Sequence, residues 1–150
     1  MDKKIFKASE MREKILNAVD FIADPVVSTL GPRGHNVLFQ TDGVGFVLTN
    51  DGVTIAKNIS SKDEVTEAII DIIKEASMRT NSQAGDGTTG TILLSRILIK
   101  EAYKLLDEGY SWIEILKELK SFGERLIKKI EKNKISVTDK RGIKEIATIS

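Results

Sequence analysis

The sequence predicts a mainly α-helical fold, a bundle of long helices with one small β-hairpin. Apolar residues recur at helical spacing in several long segments, and these segments end at glycine or proline. Two short β-prone runs flank the tetrapeptide "TDGV", which is typical of a hairpin turn. With 150 residues, the chain suits one domain that buries a sizeable core.

Composition and charge narrow the classes of function. Hydrophobic residues make up 41% and charged residues 30%, which is typical of a globular protein. The net charge of +1 gives no electrostatic reason to expect nucleic acid or a membrane as partner. The absence of cysteine excludes disulfides and thiolate metal sites. The single histidine, His35, argues against a histidine metal site or a catalytic triad, so we interpret it as a surface or loop residue.

The N-terminal segment has no long apolar run and carries acidic residues, which argues against a secretory signal peptide. No apolar stretch is long enough to span a bilayer. We therefore expect a cytoplasmic protein without a membrane partner.

The first predicted helix covers residues 9–29, with Ser9 as its cap. Pro25 interrupts the pattern, so we expect a kink near Asp24 or a new helical segment that starts at Pro25. Gly31 and Pro32 stop the helix.

The runs 36–40 and 45–49 then predict the two strands of the hairpin, and a short helix follows Asn50. The next helix starts near Lys62 and ends near Gly85. Its predicted inner face carries four residues at helical spacing: Val65, Ile69, Ile72 and Ala76.

The segment "TILLSRILIKEAYKLLDEG" is apolar on most of its circumference up to Tyr103, which predicts a helix in the centre of a bundle, ended by Gly109. Ser111 is the predicted cap of a further long helix, and Trp112 is interpreted as a core anchor. The apolar stripe of this helix contains Ile115, Leu119, Phe122, Leu126 and Ile130. A last helix is predicted from Ile143 to Ile149.

Three glycine-containing loops lie at boundaries of these elements: "TLGPRG" (29–34), "NDGVT" (50–54) and "AGDGTT" (84–89). Glycine lets the backbone approach a ligand closely. The third loop opens a helix, where unpaired N–H groups favour an anion such as phosphate. The hydroxyls of Thr88 and Thr89 can bind phosphate oxygens or cap the helix.

A carboxylate beside a phosphate requires a hard cation between them, so Asp86 indicates a Mg²⁺ site. Asp51 is a second candidate, able to orient or deprotonate an attacking water. Each loop taken singly is more typical of a turn or a helix cap than of a ligand site. The hairpin is either an ordinary one or an edge that pairs with another chain. Spacing does not show whether the three loops converge, and the common phosphate-loop pattern G-x-x-x-x-G-K-[ST] is absent.

Taken together, the three loops resemble the chaperonin family, the ring-forming ATP-dependent protein-folding machines. The resemblance runs over nearly the whole chain, through "VVSTLGPRGHNVLF", "VLTNDGVTIAKNI", "AGDGTTGTILL" and "IATIS". It implies the N-terminal half of a mainly helical equatorial, ATP-binding domain. Residues 1–150 would form part of that domain, and the intermediate and apical domains would be absent.

The resemblance also implies roles for individual residues. Asp86 would hold Mg²⁺, and Asp51 corresponds to an acidic residue needed for hydrolysis. The remaining nucleotide-binding positions carried over are Thr29, Leu30, Gly31, Pro32, Asn50, Gly87, Thr88, Thr89 and Gly90. The hairpin and a strand near Lys3–Lys7 would form sheet contacts between subunits.

The chain resembles a divergent member of the bacterial and organellar type, although "TNDGVTI" and "KEAYKLLDEG" are more similar to the archaeal and eukaryotic-cytosolic type. Two of the nucleotide-binding positions depart from the bacterial pattern. Asn50 stands where that type usually has lysine, and asparagine does not supply a basic phosphate contact. Gly90 replaces a usual threonine and removes a hydroxyl.

A chaperonin subunit is several times longer than this chain, so we expect an N-terminal fragment or a truncated product. The implied partners are a homo-oligomeric ring and unfolded client proteins bound through absent domains, and the resemblance allows a cochaperonin. The alternative is a non-catalytic interaction or assembly module. In either case the helix at 91–106 should expose a large apolar patch.

Overall fold

The computed structural model describes residues 5–41, 43, 45–137 and 139–149. This part of the chain folds into six helices and one two-stranded antiparallel sheet, which confirms the predicted fold class. In chain order the elements are α1 (Ala8–Val27), β1 (Val37–Thr41), β2 (Gly45–Thr49), α2 (Gly52–Asn58), α3 (Glu64–Ala84), α4 (Thr88–Asp107), α5 (Trp112–Asn133) and α6 (Lys140–Ile149).

The first helix differs from the prediction at both ends. Its N-cap is Lys7 rather than Ser9, and the Lys7 N–H donates to the Glu10 carboxylate over 3.1 Å. The helix runs through Pro25 without a break and ends at Val27, before Gly31. Pro25 is tolerated because only two helical residues follow it, so the missing N–H removes a single hydrogen bond in the last turn.

The core lies where α1 packs against α2 and α3. Its buried hydrophobic residues are Ala18, Val19, Ile22, Ala23, Val26, Ile55, Ala56, Ile70, Ile73 and Ile92. Five of these belong to α1, and they recur at helical spacing on one face. This face fixes α1 as the central helix of the region.

The predicted inner face of α3 is correct in part, since Ile69 packs against the core, but the buried stripe is rotated by about one residue. The buried positions are Ile70, Ile73 and Ser77, whereas Ile72 is 69% exposed and Ala76 is exposed. The segment "AIIDII" offers two overlapping helical stripes of isoleucine. Packing against α1 selects one of them, which periodicity along a single helix does not determine.

The predicted hairpin is confirmed, and its register pairs Val37 with Thr49 and Thr41 with Gly45. Val37 and Phe39 pack against the core, while the opposite face exposes three large apolar residues, Leu38, Phe46 and Leu48. Residues 42 and 44 of the turn lie outside the described residues. The strand expected near Lys3–Lys7 lies mostly outside them too, and residues 5–7 are not part of a strand.

Helix α4 does not occupy the centre of a bundle. Among its described residues only Thr88 and Ile92 are buried, and Leu94, Ile97 and Leu98 are 43–59% exposed. The predicted exposed patch on this helix is therefore confirmed, while its predicted central position is wrong.

By its internal contacts the chain divides into two compact units, one up to Lys104 and one from Leu105. In the second unit Ser111 caps α5 as predicted, and the Ser111 N–H donates to the Glu114 carboxylate over 2.8 Å. None of the α5 residues is buried, and Trp112 is 47% exposed, so it is not the predicted core anchor. Within the described ranges, no helix combines the length and the apolar character needed to cross a membrane.

Candidate functional site

The first loop folds back on the end of α1. The Thr29 hydroxyl donates to the Val26 carbonyl over 2.7 Å, and the His35 N–H donates to the Ser28 carbonyl over 2.8 Å. The second of these bonds closes the loop from Ser28 to His35. His35 lies in an exposed loop, as interpreted from the sequence.

Two glycines make this closed loop feasible. Gly31 has a φ of 81°, which favours glycine, and its carbonyl accepts from the Gly34 N–H over 2.9 Å. A Cβ atom on Gly34 would lie 2.1 Å from the Thr29 carbonyl oxygen, so no larger residue fits there. Leu30 and Pro32, two of the predicted nucleotide contacts, lie exposed on the outside of the loop.

Asp51 is the N-cap of α2. Its carboxylate accepts hydrogen bonds from the Val53 N–H over 3.3 Å, the Thr54 N–H over 3.0 Å and the Thr54 hydroxyl. The hydroxyl of Thr54 is the main reason that the pKa of Asp51 lies below its ordinary value of 3.8, against a smaller opposing effect of burial. Asp51 is therefore held as a carboxylate in a fixed orientation, which weakens it as a proton acceptor.

The third loop joins the end of α3 to the start of α4. Gly85, with a φ of 80°, ends α3, and its N–H donates to the Asn81 carbonyl over 2.8 Å. Asp86 follows with an exposed carboxylate, whose Oδ1 accepts from the Gly87 N–H over 2.5 Å. Gly87 has a φ of 99°, and its carbonyl accepts the hydrogen bond from Thr91 that opens α4.

Thr88 is unusual because its side chain is buried without a hydrogen-bond partner. The residue is 2% exposed, and its Oγ1 has no partner among the described residues. An unpaired buried hydroxyl is costly, so such a group in a native fold calls for an explanation. It lies in the first turn of α4, where the backbone N–H groups also lack intrahelical acceptors.

The second and third loops meet at Gly52, the first residue of α2. A Cβ atom on Gly52 would lie 2.2 Å from Thr89 Oγ1 and 3.5 Å from Val26 Cγ1. The last turn of α1, the start of α2 and the start of α4 therefore come together at one point. Gly52 was part of a sequence motif but not a predicted site residue, and its role depends on a contact between segments 37 residues apart in sequence.

Two other predicted site residues, Asn50 and Gly90, make few contacts with their surroundings. Asn50 is exposed, and a Cβ atom on Gly90 would meet nothing within 4 Å. The space beside Gly90 is the space that a threonine side chain would otherwise occupy. Both positions are therefore open to solvent or ligand rather than packed.

The donor set around Asp86 fits Mg²⁺ bound together with phosphate better than an all-protein metal site. Over the described ranges, no three acidic or histidine side chains cluster closely enough to hold a metal ion. Mg²⁺ usually takes one or two carboxylates, substrate phosphates and several waters. One exposed carboxylate beside a helix N-terminus meets that requirement.

The solved structures similar to this chain include two crystal forms of the chaperonin gp146 from the bacteriophage EL, in the presence of ATP-BeFx. Both are 32% identical in sequence, with TM-scores of 0.75 and 0.76. The matches cover 88% and 89% of this chain but 23% and 24% of the gp146 chains, so the chain spans about a quarter of their length.

The sequence model of the TCP-1/cpn60 chaperonin family matches residues 22–150. This range includes all three glycine loops and every predicted site residue. The chain belongs to the TCP-1/cpn60 chaperonin family.

Proposed function

We propose that this chain is part of the equatorial, nucleotide-binding domain of a chaperonin subunit and that it binds Mg·ATP through its three glycine loops. In a subunit of the relatives' length, hydrolysis of ATP would drive a ring that assists the folding of unfolded client proteins. Residues 1–150 would then form the N-terminal part of the domain, and the client-binding domains would lie outside it. A cytoplasmic location follows from the same proposal.

The contact between Gly52 and Thr89 carries this proposal. It brings the loop that contains Asp51 beside the loop that contains Asp86, and it places both next to the end of α1. The buried hydroxyl of Thr88 supports the same location, since a phosphate oxygen would supply its missing partner. The crystal structures of gp146 in the presence of ATP-BeFx support a nucleotide as the ligand.

Each residue has a distinct part in the proposed site. The N–H groups of Thr88, Thr89 and Gly90 at the start of α4 would bind phosphate oxygens, aided by the helix dipole. Asp86 would hold Mg²⁺, which neutralises phosphate charge when bound. The loop from Thr29 to Pro32 would cover the nucleotide from the side of α1.

Asp51 would orient the attacking water rather than remove its proton. Three donors already hold its carboxylate, and its lowered pKa makes it a weak base. Positioning a water for attack on a terminal phosphate is a recognised role for such a residue. In a subunit of the relatives' length, Asp51→Ala is expected to lower the rate of ATP turnover with little change in nucleotide affinity. Equal turnover rates would contradict this role.

The role of Asp86 is tested by the dependence of nucleotide affinity on Mg²⁺. Calorimetric titration of Asp86→Asn with ATP should show weaker binding in Mg²⁺ and unchanged binding in EDTA. Asp71→Asn is the matched control, because Asp71 is an exposed carboxylate of α3 that lies outside the three loops. An Asp86→Asn variant that keeps the full effect of Mg²⁺ would exclude this metal site.

The exposed apolar surfaces favour a second candidate, a non-catalytic assembly module. Leu38, Phe46 and Leu48 form one face of the hairpin, and the stripe of α5 is also exposed. Contiguous apolar surface of this kind marks an interaction site. The two candidates differ in titration with Mg·ATP, because a purely structural module does not bind the nucleotide.

A further inference from the structure

Four charged side chains join α1 to α4 outside the three loops. Asp20 and Asp24 lie one turn apart on α1, and Arg96 and Lys100 lie one turn apart on α4. Arg96 Nε is 2.9 Å from Asp20 Oδ1, and Arg96 Nη1 is 2.8 Å from Asp24 Oδ1. Lys100 Nζ is 2.7 Å from Asp20 Oδ1. We call these four residues the α1–α4 ion-pair cluster.

The cluster differs from an isolated surface salt bridge. The side chains of Arg96, Asp20 and Lys100 are only 27–36% exposed, so water screens their charges incompletely. Arg96 bridges two carboxylates with two different nitrogens, which fixes the direction of its planar guanidinium. Networks of this kind hold geometry, whereas single exposed pairs contribute little.

Asp24 lies where its negative charge needs a positive partner from outside α1. Asp24 lies in the last turn of α1, where the helix dipole disfavours a negative charge. That turn contains no basic residue that would offset the charge from within α1. Arg96 supplies the positive charge from the neighbouring helix. An acidic residue at this point therefore makes physical sense as one half of an interhelical contact.

Apolar residues anchor α4 only sparsely, so the ion pairs are a substantial part of its contact with α1. Only Thr88 and Ile92 are buried among its described residues, and Ile99 packs partly against the core. Apolar contacts tolerate small sliding movements, whereas the attraction within an ion pair falls as the two charges move apart. Together with the close approach of Gly52 to Thr89, the cluster therefore limits where α4 lies along α1.

The same two helices carry two sides of the proposed nucleotide site. α1 leads into the loop 29–34, and α4 begins at Thr88. Arg96 lies eight residues after Thr88, which corresponds to about 12 Å along a helix. A shift of α4 along α1 would change the separation between the first loop and the N–H groups of Thr88 and Thr89.

We propose that Arg96 is a positioning residue for nucleotide binding, which sets the axial position of the α4 N-terminus through Asp20 and Asp24. The proposal rests on the proposed function of the loops, because Arg96 itself does not belong to them. It adds a determinant of affinity about two turns away from the phosphate-binding residues.

The test compares Arg96→Gln and Arg96→Lys with the control Lys104→Gln, because Lys104 Nζ pairs with Glu101 of the same helix, at 2.6 Å. Affinity for Mg·ATP is measured by calorimetry, and hydrogen exchange of residues 91–95 is measured without nucleotide. Arg96→Gln should weaken the affinity roughly fivefold and accelerate exchange in the first turns of α4. Arg96→Lys should recover part of both, because one ammonium group replaces only part of the two-nitrogen bridge. Lys104→Gln should match the wild type.

Unchanged affinity and exchange in Arg96→Gln, with only a lower thermal midpoint, would overturn the proposal and leave a general stabilising role. If Arg96→Gln does not fold, Asp24→Asn removes one of the two bridged carboxylates, and wild-type affinity and exchange in that variant would overturn the proposal equally. Failure of the wild type to bind Mg·ATP would contradict the proposed function instead. Hydrogen exchange without nucleotide would still decide whether Arg96 positions α4.

Discussion

The helices α1 and α5 are similar in length and differ in almost everything that holds them in place. α1 buries five residues and makes the central contacts of the first unit, whereas α5 buries none. Yet α5 has the better local signals, with a reciprocal capping box formed by Ser111 and Glu114. Helix formation and helix packing are therefore separable here: local sequence specifies α5, and the core specifies α1.

The largest expected change in stability comes from truncating a buried residue of α1, compared with an exposed residue of α5. Ile22→Ala in α1 is expected to lower the free energy of unfolding by about 2–5 kcal/mol, because Ile22 is fully buried. Ile130→Ala in α5 is the matched control, and since Ile130 is 59% exposed, we expect a change within about 0.5 kcal/mol. Urea unfolding followed by circular dichroism measures both. Equal losses would mean that α5 has a core of its own.

A second comparison uses one glycine from each unit. Gly52→Ala should destabilise by about 1–3 kcal/mol, since its Cβ would overlap Thr89 Oγ1 and the stiff threonine side chain has little room to move. Gly123→Ala in α5 should stabilise by up to about 1 kcal/mol, because the added methyl group meets nothing and alanine favours helix.

Adding Thr89→Ala to the Gly52 variant should restore part of the lost stability, because this change removes the overlapping hydroxyl. A Gly52→Ala variant as stable as the wild type would show that the starts of α2 and α4 are further apart than described.

A smaller change in stability is expected when the N-cap of α5 is removed. Ser111→Ala should reduce the stability of this helix by about 1 kcal/mol, because the Glu114 N–H loses its side-chain acceptor. Ser82→Ala is the control, since the Ser82 hydroxyl bonds a carbonyl within α3 and caps nothing. Helical content is measured against temperature by circular dichroism. A helix insensitive to Ser111→Ala would have to be held by packing instead of its cap.

The smallest expected effect is on the loss of stability at low pH. The pKa values of Asp51 and Asp63 lie below the ordinary 3.8, mainly because the Thr54 and Thr66 hydroxyls bond the ionised carboxylates. Their stabilisation is therefore complete above pH 3.8 and is lost as the pH falls through the folded values. Thr54→Val should raise the pKa of Asp51 and reduce this loss, as measured by unfolding at pH 7 and at successive pH values below 4. Identical acid dependence in the variant and the wild type would contradict this cause.

The sequence predicted the elements well and their faces less well. Caps and glycines are local signals, so the hairpin, Ser111 and the end of α3 at Gly85 were correctly placed. The inner face of α3 and the position of α4 depend on which neighbours are present, and periodicity alone does not contain that information. The continuous path of α1 through Pro25 depends on how few helical residues follow the proline.

In the candidate site, too, the local motifs were predictable from the sequence and the contacts between distant segments were not. Glycine and aspartate motifs identified the three loops, but only the folded chain brings Gly52 against Thr89 and buries the Thr88 hydroxyl. The ion-pair cluster was not predicted either, since Asp20 and Arg96 are 76 residues apart in sequence. The weakly packed second unit contributes none of the proposed nucleotide contacts.

Calorimetric titration of the chain with ATP, in the presence and absence of Mg²⁺, tests the central claim most directly. We expect one site per chain with micromolar affinity in Mg²⁺ and clearly weaker binding in EDTA. A folded chain that shows no heat of binding with millimolar Mg·ATP would contradict the proposed nucleotide site and favour the assembly module.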